Sequence, residues 1–469
     1  MDETQEFKRG YDELLYLYNE SQEKPKEKLP TDMLGEFLLE YLGWSVYNDE
    51  FYYYDFRDGT WEPLGNLNTT DIFSLVYKVS NKYNTDGILR AVLRQLRNGL
   101  GDKLKSRELT EQSKATVTVF NNGVYDYKEH VFKEKSKEVF ALNGYNFDYS
   151  EQTEVPEIYA KWLLGFLNSD TALYNYWLDE LANLVQSHTP RGRIQLIKGN
   201  SGVGKSLFTD LITKVALKTA SINSNFVNSP FALEGVGDGG TLLISPDLSD
   251  DLYFNDNERL KTIATGDTIE IQRKGKKNTT QKADWITVFA CNTYPKFKNR
   301  DEQMIRRFAT TVIEHKSLDE VLNADWYADI NDLLADDNVN ALICYLVTRE
   351  YKRFVTNDSD LPNSIFLGNK DLWNDSDPLI MKIVDELEEL EAIHVKTIND
   401  IAKNTVKGRN LRRGYKTLAE EITAELHERG YNLFKRKLTE PYSVIVDGET
   451  YERNGGKYES YVKKVWYER

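Results

Sequence analysis

Cysteine is nearly absent: the 469 residues hold two, Cys291 and Cys344, each in an apolar stretch. So few thiols exclude a disulfide framework and a zinc ribbon, and they suit a reducing cytoplasm. Both read as core residues rather than reactive ones. Long apolar runs are missing too. None approaches the ~20 residues that span a bilayer, so no membrane segment is expected. The first twenty residues, MDETQEFKRGYDELLYLYNE, are acidic and amphipathic, unlike a secretory signal. A positive balance is also lacking. The formal net charge is −15, which alone argues against a nucleic-acid binder. Local basic clusters can still hold phosphates within an acidic chain. There is no internal repeat, no low-complexity tract, and no cluster of zinc ligands or metal-binding acids.

What is present suffices for sizeable cores. Hydrophobic residues make up 40% of a chain long enough for two to four domains. Residues 1–115 read as an N-terminal α+β domain: a helix over 1–25, a second near 32–42, an aromatic hairpin turning at Asp58-Gly59, and helices near 70–83 and 86–96. Tyr52, Tyr53 and Tyr54 read as sheet packing rather than base-stacking residues. Residues 116–189 add a β-rich patch turning at Asn122-Gly123 and a helical stretch from Glu157 to Val185. From 190 to 355 strands alternate with helices, the pattern of an α/β nucleotide-binding domain. Residues 356–377 are polar and turn-rich and read as a linker. Residues 378–469 give three helices followed by a β-ribbon, the order of a winged helix.

One stretch organises the chain. Ile194 to Ile197 is an apolar strand, and Gly199-Asn200-Ser201-Gly202-Val203-Gly204-Lys205-Ser206 follows as G-x-x-x-x-G-K-S, a phosphate-binding P-loop. Leu207, Phe208, Leu211, Ile212 and Val215 then recur at helical spacing. Glycines let backbone N–H groups surround a phosphate chain, and the helix N-terminus adds partial positive charge. Lys205 is expected on the β- and γ-phosphates of ATP, and Ser206 on Mg2+.

Further motifs follow in order. Asp247 stands past the buried strand Thr241–Ile244, where a carboxylate can hold Mg2+ or orient water; Pro246 occupies the place of a first acid, and Asp250 or Asp251 can share the role. Leu260–Lys282 reads as a hairpin with a basic tip: Arg273, Lys274, Lys276 and Lys277, with Gly275 at the turn. Such a tip can grip a nucleic-acid backbone. Asn292 ends an apolar strand, where its amide can meet a γ-phosphate or the attacking water. Arg306 and Arg307 precede another strand, and an arginine supplied by a neighbouring subunit can neutralise transition-state charge, with Arg307 favoured. A second basic cluster, including Arg409, Arg412, Arg413 and Lys416, falls at the start of the third C-terminal helix, where a recognition helix meets the major groove. Lys457, Lys463 and Lys464 follow in the ribbon, within reach of phosphates.

Taken together, P-loop, Asp247 strand, Lys261…Gly266-Asp267…Lys274, Asn292 strand and Arg306-Arg307-Phe308 resemble the superfamily 3 helicases, which are AAA+ hexamers. Val119-Phe120-Asn121-Asn122-Gly123-Val124 is similar to the segment preceding the helicase domain in phage and plasmid primase-helicases, and the resemblance covers roughly 115–315. In size and layout the chain resembles the replication initiators of staphylococcal pathogenicity islands and related mobile elements. The resemblance implies an α/β AAA+ P-loop NTPase core, ATP and Mg2+, a homo-oligomeric ring, single-stranded DNA on Lys261 and the hairpin, and origin duplex at the winged helix. No priming domain is evident, and a separate primase stays open as a partner. Two other functions remain open: an ATP-gated protein that binds and melts an origin without processive unwinding, and an AAA+ protein acting on protein partners.

Overall fold

The computed structural model describes residues 3–63, 117–317 and 331–463, apart from short interruptions, together with Gly87 and Arg90. The expected helices near 70–83 and 86–96 otherwise lie outside the described residues. Near the N-terminus, α1 (Glu3–Glu20) and α2 (Thr31–Leu42) precede a three-stranded meander of β1 (Trp44–Tyr47), β2 (Glu50–Asp55) and β3 (Thr60–Pro63). Tyr52, Tyr53 and Tyr54 are buried. Trp61 ties this sheet to the next segment, donating from its indole to Val139 O (2.9 Å) and from its backbone to Ala141 O (2.7 Å).

The second sheet holds β4 (Val117–Phe120), β5 (Gly123–Asp126) and β6 (Val131–Lys133). Two helices follow, α3 (Glu157–Phe166) and α4 (Thr171–Gln186), where one continuous helix was expected. The break has a local cause. Asn168 and Ser169 take left-handed φ values of 59° and 57°, and the Asp170 carboxylate caps α4 by accepting from Ala172 N and Leu173 N. Helix α4 then packs its buried face toward the central sheet. Tyr176 Oη donates to Gln195 Oε1 (3.1 Å), and the buried Glu180 accepts from Arg191 (2.8 Å).

The central sheet is parallel throughout. Its strands are β7 (Ile194–Lys198), β8 (Thr219–Ser221), β9 (Leu242–Leu248), β13 (Ile286–Cys291) and β15 (Phe308–Val312), in the spatial order β15-β7-β13-β9-β8. Helix α5 (Lys205–Val215) connects β7 to β8. Strands buried on both faces read as near-continuous apolar runs, as β13 does, and the first four residues of β7 are buried too. Because all five run the same way, their carboxyl ends gather on one edge. Strand β9 reaches beyond the expected Thr241–Ile244. It pairs Ser245 with Phe289 and Leu248 with Cys291, so it carries one extra residue in a bulge over Pro246–Asp247. Proline cannot donate to a ladder, and a bulge is where a sheet tolerates it.

Two short pairings flank this sheet. Strands β10 (Tyr253–Phe254) and β14 (Lys296–Phe297) pair in parallel, with α6 (Asn257–Thr265) between them in sequence. Strands β11 (Thr268–Ile271) and β12 (Thr279–Lys282) form the expected antiparallel hairpin, in register Ile271 to Thr279. A single turn, α7 (Glu302–Ile305), leads into β15, and α8 (Asp336–Thr348) packs on α4 and α5.

Strand β15 lies at the sheet's edge, and its outer backbone groups would be open to another chain. Two asparagine amides close it. Asn369 accepts from Thr310 N (3.0 Å) and donates to Phe308 O (2.8 Å). Asn168 donates to Val312 O (2.7 Å) and accepts from Glu314 N (3.0 Å). Asn369 sits on α9 (Asn363–Asp375), within the stretch 356–377 that reads as a linker in the sequence. It is a packed helix instead: Ile365 and Leu372 are buried, and a Cβ at Gly368 would collide with Thr310 O.

The C-terminal elements are α10 (Pro378–Leu387), β16 (Ala392–His394), α11 (Val395–Gly408), α12 (Tyr415–Glu428), β17 (Tyr431–Leu438), β18 (Tyr442–Val446), β19 (Glu449–Arg453) and β20 (Gly456–Lys463). They enclose a separate core that includes Ile383, Leu387, Ile398, Ile401, Leu418 and Ile422. In the ribbon β18 pairs with β19, while β20 lies between β16 and β17. The hairpin β18–β19 folds back on α11, through Arg453 on Asp400 and Asn404 on Glu449 (2.8 Å). Among the described residues no helix is long and apolar enough to cross a membrane.

Replacing Asn369 by alanine leaves Thr310 N and Phe308 O without partners. Denaturant unfolding of Asn369→Ala should show a loss of about 2–4 kcal/mol, the cost of two buried unsatisfied groups. A loss below about 0.5 kcal/mol would mean that water or another chain covers this edge.

Candidate functional site

The carboxyl edge of the parallel sheet brings together the glycine-rich loop, Asp247 and Asn292. Strand β7 ends at Lys198, the glycine-rich loop follows, and α5 starts at Lys205. Gly202 and Gly204 hold φ values of 83° and 93°, a left-handed region that side chains disfavour. Gly204 is also the N-cap of α5, and no side chain caps that end. The first-turn N–H groups are therefore left for an anion, which the helix dipole also favours. Ser206, the second residue of α5, is exposed beside them.

Lys205 is only 8% exposed, yet its ammonium lies within a ring of acceptors. Nζ donates to Gly199 O (2.7 Å), Asn200 O (2.7 Å) and Asn292 Oδ1 (2.8 Å). Asn292 is there because β13 is the neighbour of β7: Cys291 pairs with Lys198, and Gly199 N donates to Cys291 O (3.2 Å). The parallel register thus joins two motifs 87 residues apart. Asp247 stands at the same edge on β9, next to β13, and the bulge leaves it exposed. Asp250 and Asp251 lie outside the described residues. The set supplies a cation, first-turn amides, a hydroxyl, an amide oxygen and a carboxylate. That chemistry fits a polyphosphate with a bound Mg2+.

Arg306 and Arg307 are not part of this constellation within one chain. They precede β15, whose first residue Phe308 pairs with Ile194, the first residue of β7. Ile194 N donates to Arg307 O (2.7 Å). Both arginines therefore start from the amino edge, a five-residue strand or about 16 Å from the loop. Arg306 is exposed and Arg307 half-buried.

The basic hairpin divides. Lys274 is exposed in the connection between β11 and β12, whereas Arg273 is 7% exposed and does not join an open tip. Arg273 lies two residues beyond Ile271, which is packed in the core with Trp285 and Leu233. Lys276 and Lys277 lie outside the described residues. Lys261, on α6, is half-buried with its Nζ 3.1 Å from Glu258 Oε1. Sequence reasoning missed Phe231. It is 44% exposed, and the turn it begins contacts the hairpin through Glu234 Oε1, which accepts from Lys274 N (3.3 Å). Nothing local in a serine- and proline-containing turn marks that side chain. In the C-terminal unit, Lys416 is exposed on the first turn of α12; Arg409, Arg412 and Arg413 lie outside the described residues, as does Lys464. Lys403 sits over the Tyr415 ring (5.2 Å).

A family model described as a family of unknown function (DUF5906) matches residues 197–307. That span runs from the strand before the glycine-rich loop to Arg307. The chain is similar to the apo structure of the NrS-1 C terminal region (305-718), with a TM-score of 0.50, 14% identity, and coverage of 93% of this chain and 100% of that one. It is also similar to an A form apo structure of that region, with a TM-score of 0.48, 15% identity, and coverage of 92% and 99%. At such identity the likeness concerns the fold alone. No curated protein matches the chain.

The Lys205–Asn292 contact makes a sharp prediction. Asn292→Asp places a carboxylate against Nζ, and the resulting ion pair competes with any phosphate. Calorimetric titration should show triphosphate binding about tenfold or more weaker in Asn292→Asp, in line with a charge-assisted hydrogen bond. Asn292→Ala should stay within a few-fold of wild type. Equal affinities for wild type and Asn292→Asp would remove phosphate from this edge.

Proposed function

We propose that the chain is an ATP-driven DNA helicase and replication initiator that works as a homo-oligomeric ring. The observation that carries this reading is the 2.8 Å contact of Lys205 Nζ with Asn292 Oδ1 beside an uncapped helix N-terminus. A cation, a row of amides and a water-orienting amide at one sheet edge are the parts that phosphoryl transfer requires. In this reading the sheet is an AAA+ P-loop NTPase core. Gly199–Ser206 holds the phosphates of ATP, Ser206 and Asp247 hold Mg2+, and Asn292 orients the attacking water.

The position of the arginines supports a ring. Arg307 begins at the edge opposite its own loop, so it meets a nucleotide most readily in a neighbouring copy. There it would offset charge developing on the transferred phosphoryl group, a contribution worth ~10³–10⁵ in rate. Lys274 and Phe231 supply a cation and an exposed ring in adjoining segments, the pairing that grips single-stranded nucleic acid by phosphate and by base stacking.

The C-terminal unit is read as a winged helix. Its order helix, strand, helix, helix, strand, hairpin, strand supports this, as does the three-stranded arrangement β16-β20-β17. The exposed stripe of α12 is basic only at its start: Lys416 and Thr417 give way to Glu420, Ala424 and His427. Only the first turn would therefore face origin duplex.

Strand displacement on a forked duplex tests the reading. Wild type should separate strands with ATP and Mg2+, and Lys205→Ala should neither bind ATP nor unwind. Lys274→Ala should bind ATP but unwind at least tenfold more slowly and lose DNA-stimulated hydrolysis. Hydrolysis without strand separation, even on its origin duplex, would favour an ATP-gated origin-binding protein. Unchanged DNA-stimulated hydrolysis in Lys274→Ala would favour protein partners instead.

A further inference from the structure

One side chain outside the motifs touches the backbone of the glycine-rich loop. His315, three residues past the end of β15, places Nε2 2.9 Å from Val203 O. A carbonyl only accepts, so Nε2 is the donor. That Nδ1 is buried and makes no hydrogen bond. The imidazole stands edge-on to Phe166, with centroids 5.8 Å apart. Its backbone is held as firmly. Glu314 N donates to Asn168 Oδ1, and Asn168 reaches it from the left-handed turn that separates α3 from α4.

The contact decides which way one peptide faces. In a trans peptide the C=O and the following N–H point in opposite directions. No cis peptide bond occurs among the described residues. Val203 O and Gly204 N–H share one plane, so holding the oxygen on His315 turns the Gly204 N–H away from it. Glycine tolerates either hand of backbone, so nothing in Gly204 itself would prevent this peptide from flipping.

We propose that His315 is a positioning residue of the phosphate loop: it fixes the Val203–Gly204 peptide so that the Gly204 N–H is presented to a nucleotide polyphosphate. The proposal rests on reading the loop as the ATP site. His315 touches no phosphate; it acts through the backbone, and its effect is confined to ligands that carry phosphate.

The test titrates ATP, ADP and adenosine into wild type, Lys205→Ala, His315→Phe and His315→Gln, with thermal unfolding of each free protein alongside. Phenylalanine keeps a ring beside Phe166 and removes the donor; glutamine keeps a donor. His315→Phe should bind ATP and ADP about tenfold more weakly, bind adenosine as wild type does, and stay folded with a melting temperature lowered by about a few degrees. His315→Gln should recover most of the loss. Should His315→Phe fail to fold, His315→Leu takes its place with the same expectations. ATP affinity within twofold of wild type, an equal loss for adenosine, or no recovery in His315→Gln would overturn the positioning role while Lys205→Ala still fails to bind. If wild type binds no ATP, or Lys205→Ala binds it normally, the site reading falls and the proposal with it.

Discussion

The parallel pairing of β7 with β13 is the constraint on which the rest depends. It sets Cys291 opposite Lys198, and from there one residue on each strand suffices to bring Gly199 and Asn292 together. Lys205 Nζ then spans the gap, donating to both loop carbonyls and to the Asn292 amide. A buried ammonium is costly unless its hydrogen bonds are met, and here three acceptors meet them. The same acceptors keep Lys205 where a phosphate could exchange for one of them. Shift β13 by one residue and Asn292 would turn to the other face. Lys205 would then lose an acceptor, and the edge would lose the amide that stands opposite its cation.

Strand β15 is the second organising element. One of its ends carries Arg306 and Arg307, and the other leads to His315 on the loop. Its inner side pairs with β7 over all five residues. Its outer side is closed by Asn168 and Asn369, from a turn before the sheet and a helix after it. An edge strand covered in this way is not open to pairing with another chain. It is also fixed in length and register, so the amino and carboxyl edges of the sheet keep a set separation.

The glycine-rich loop was legible because its signals are local. An apolar run, two left-handed glycines, Lys205-Ser206 and helical spacing lie within about twenty residues, each dictating its own conformation. The hairpin of β11 and β12 was legible for the same reason, since Ile269 and Ile271 alternate with polar neighbours. Asn292 and Arg307 were placed at strand termini, but which edge each occupies depends on strand order, which no local pattern encodes. The burial of Arg273 was hidden likewise: four basic residues within five positions, 273–277, read as one solvated tip until Ile271 is seen in the core. The helix at Asn363–Asp375 was lost to its polar composition; its burial rests on Ile365, Leu372 and the close approach at Gly368. His315 and Val203 are 112 residues apart, and a lone histidine after a strand carries no sign of its partner. In the C-terminal unit the pairing of β17 with β20 spans an inserted hairpin, a connection that no local pattern encodes.

Hydrogen–deuterium exchange with and without ATP and Mg2+ tests the central claim most directly, because it asks every amide at once where the nucleotide sits. Slowed exchange is expected at Gly202, Val203, Gly204, Lys205 and Ser206, with a smaller effect around Asn292. Added DNA should then slow exchange around Lys274. Protection that falls elsewhere in the chain, leaving 199–206 unchanged at saturating ATP, would contradict the assignment of this sheet edge as a nucleotide site.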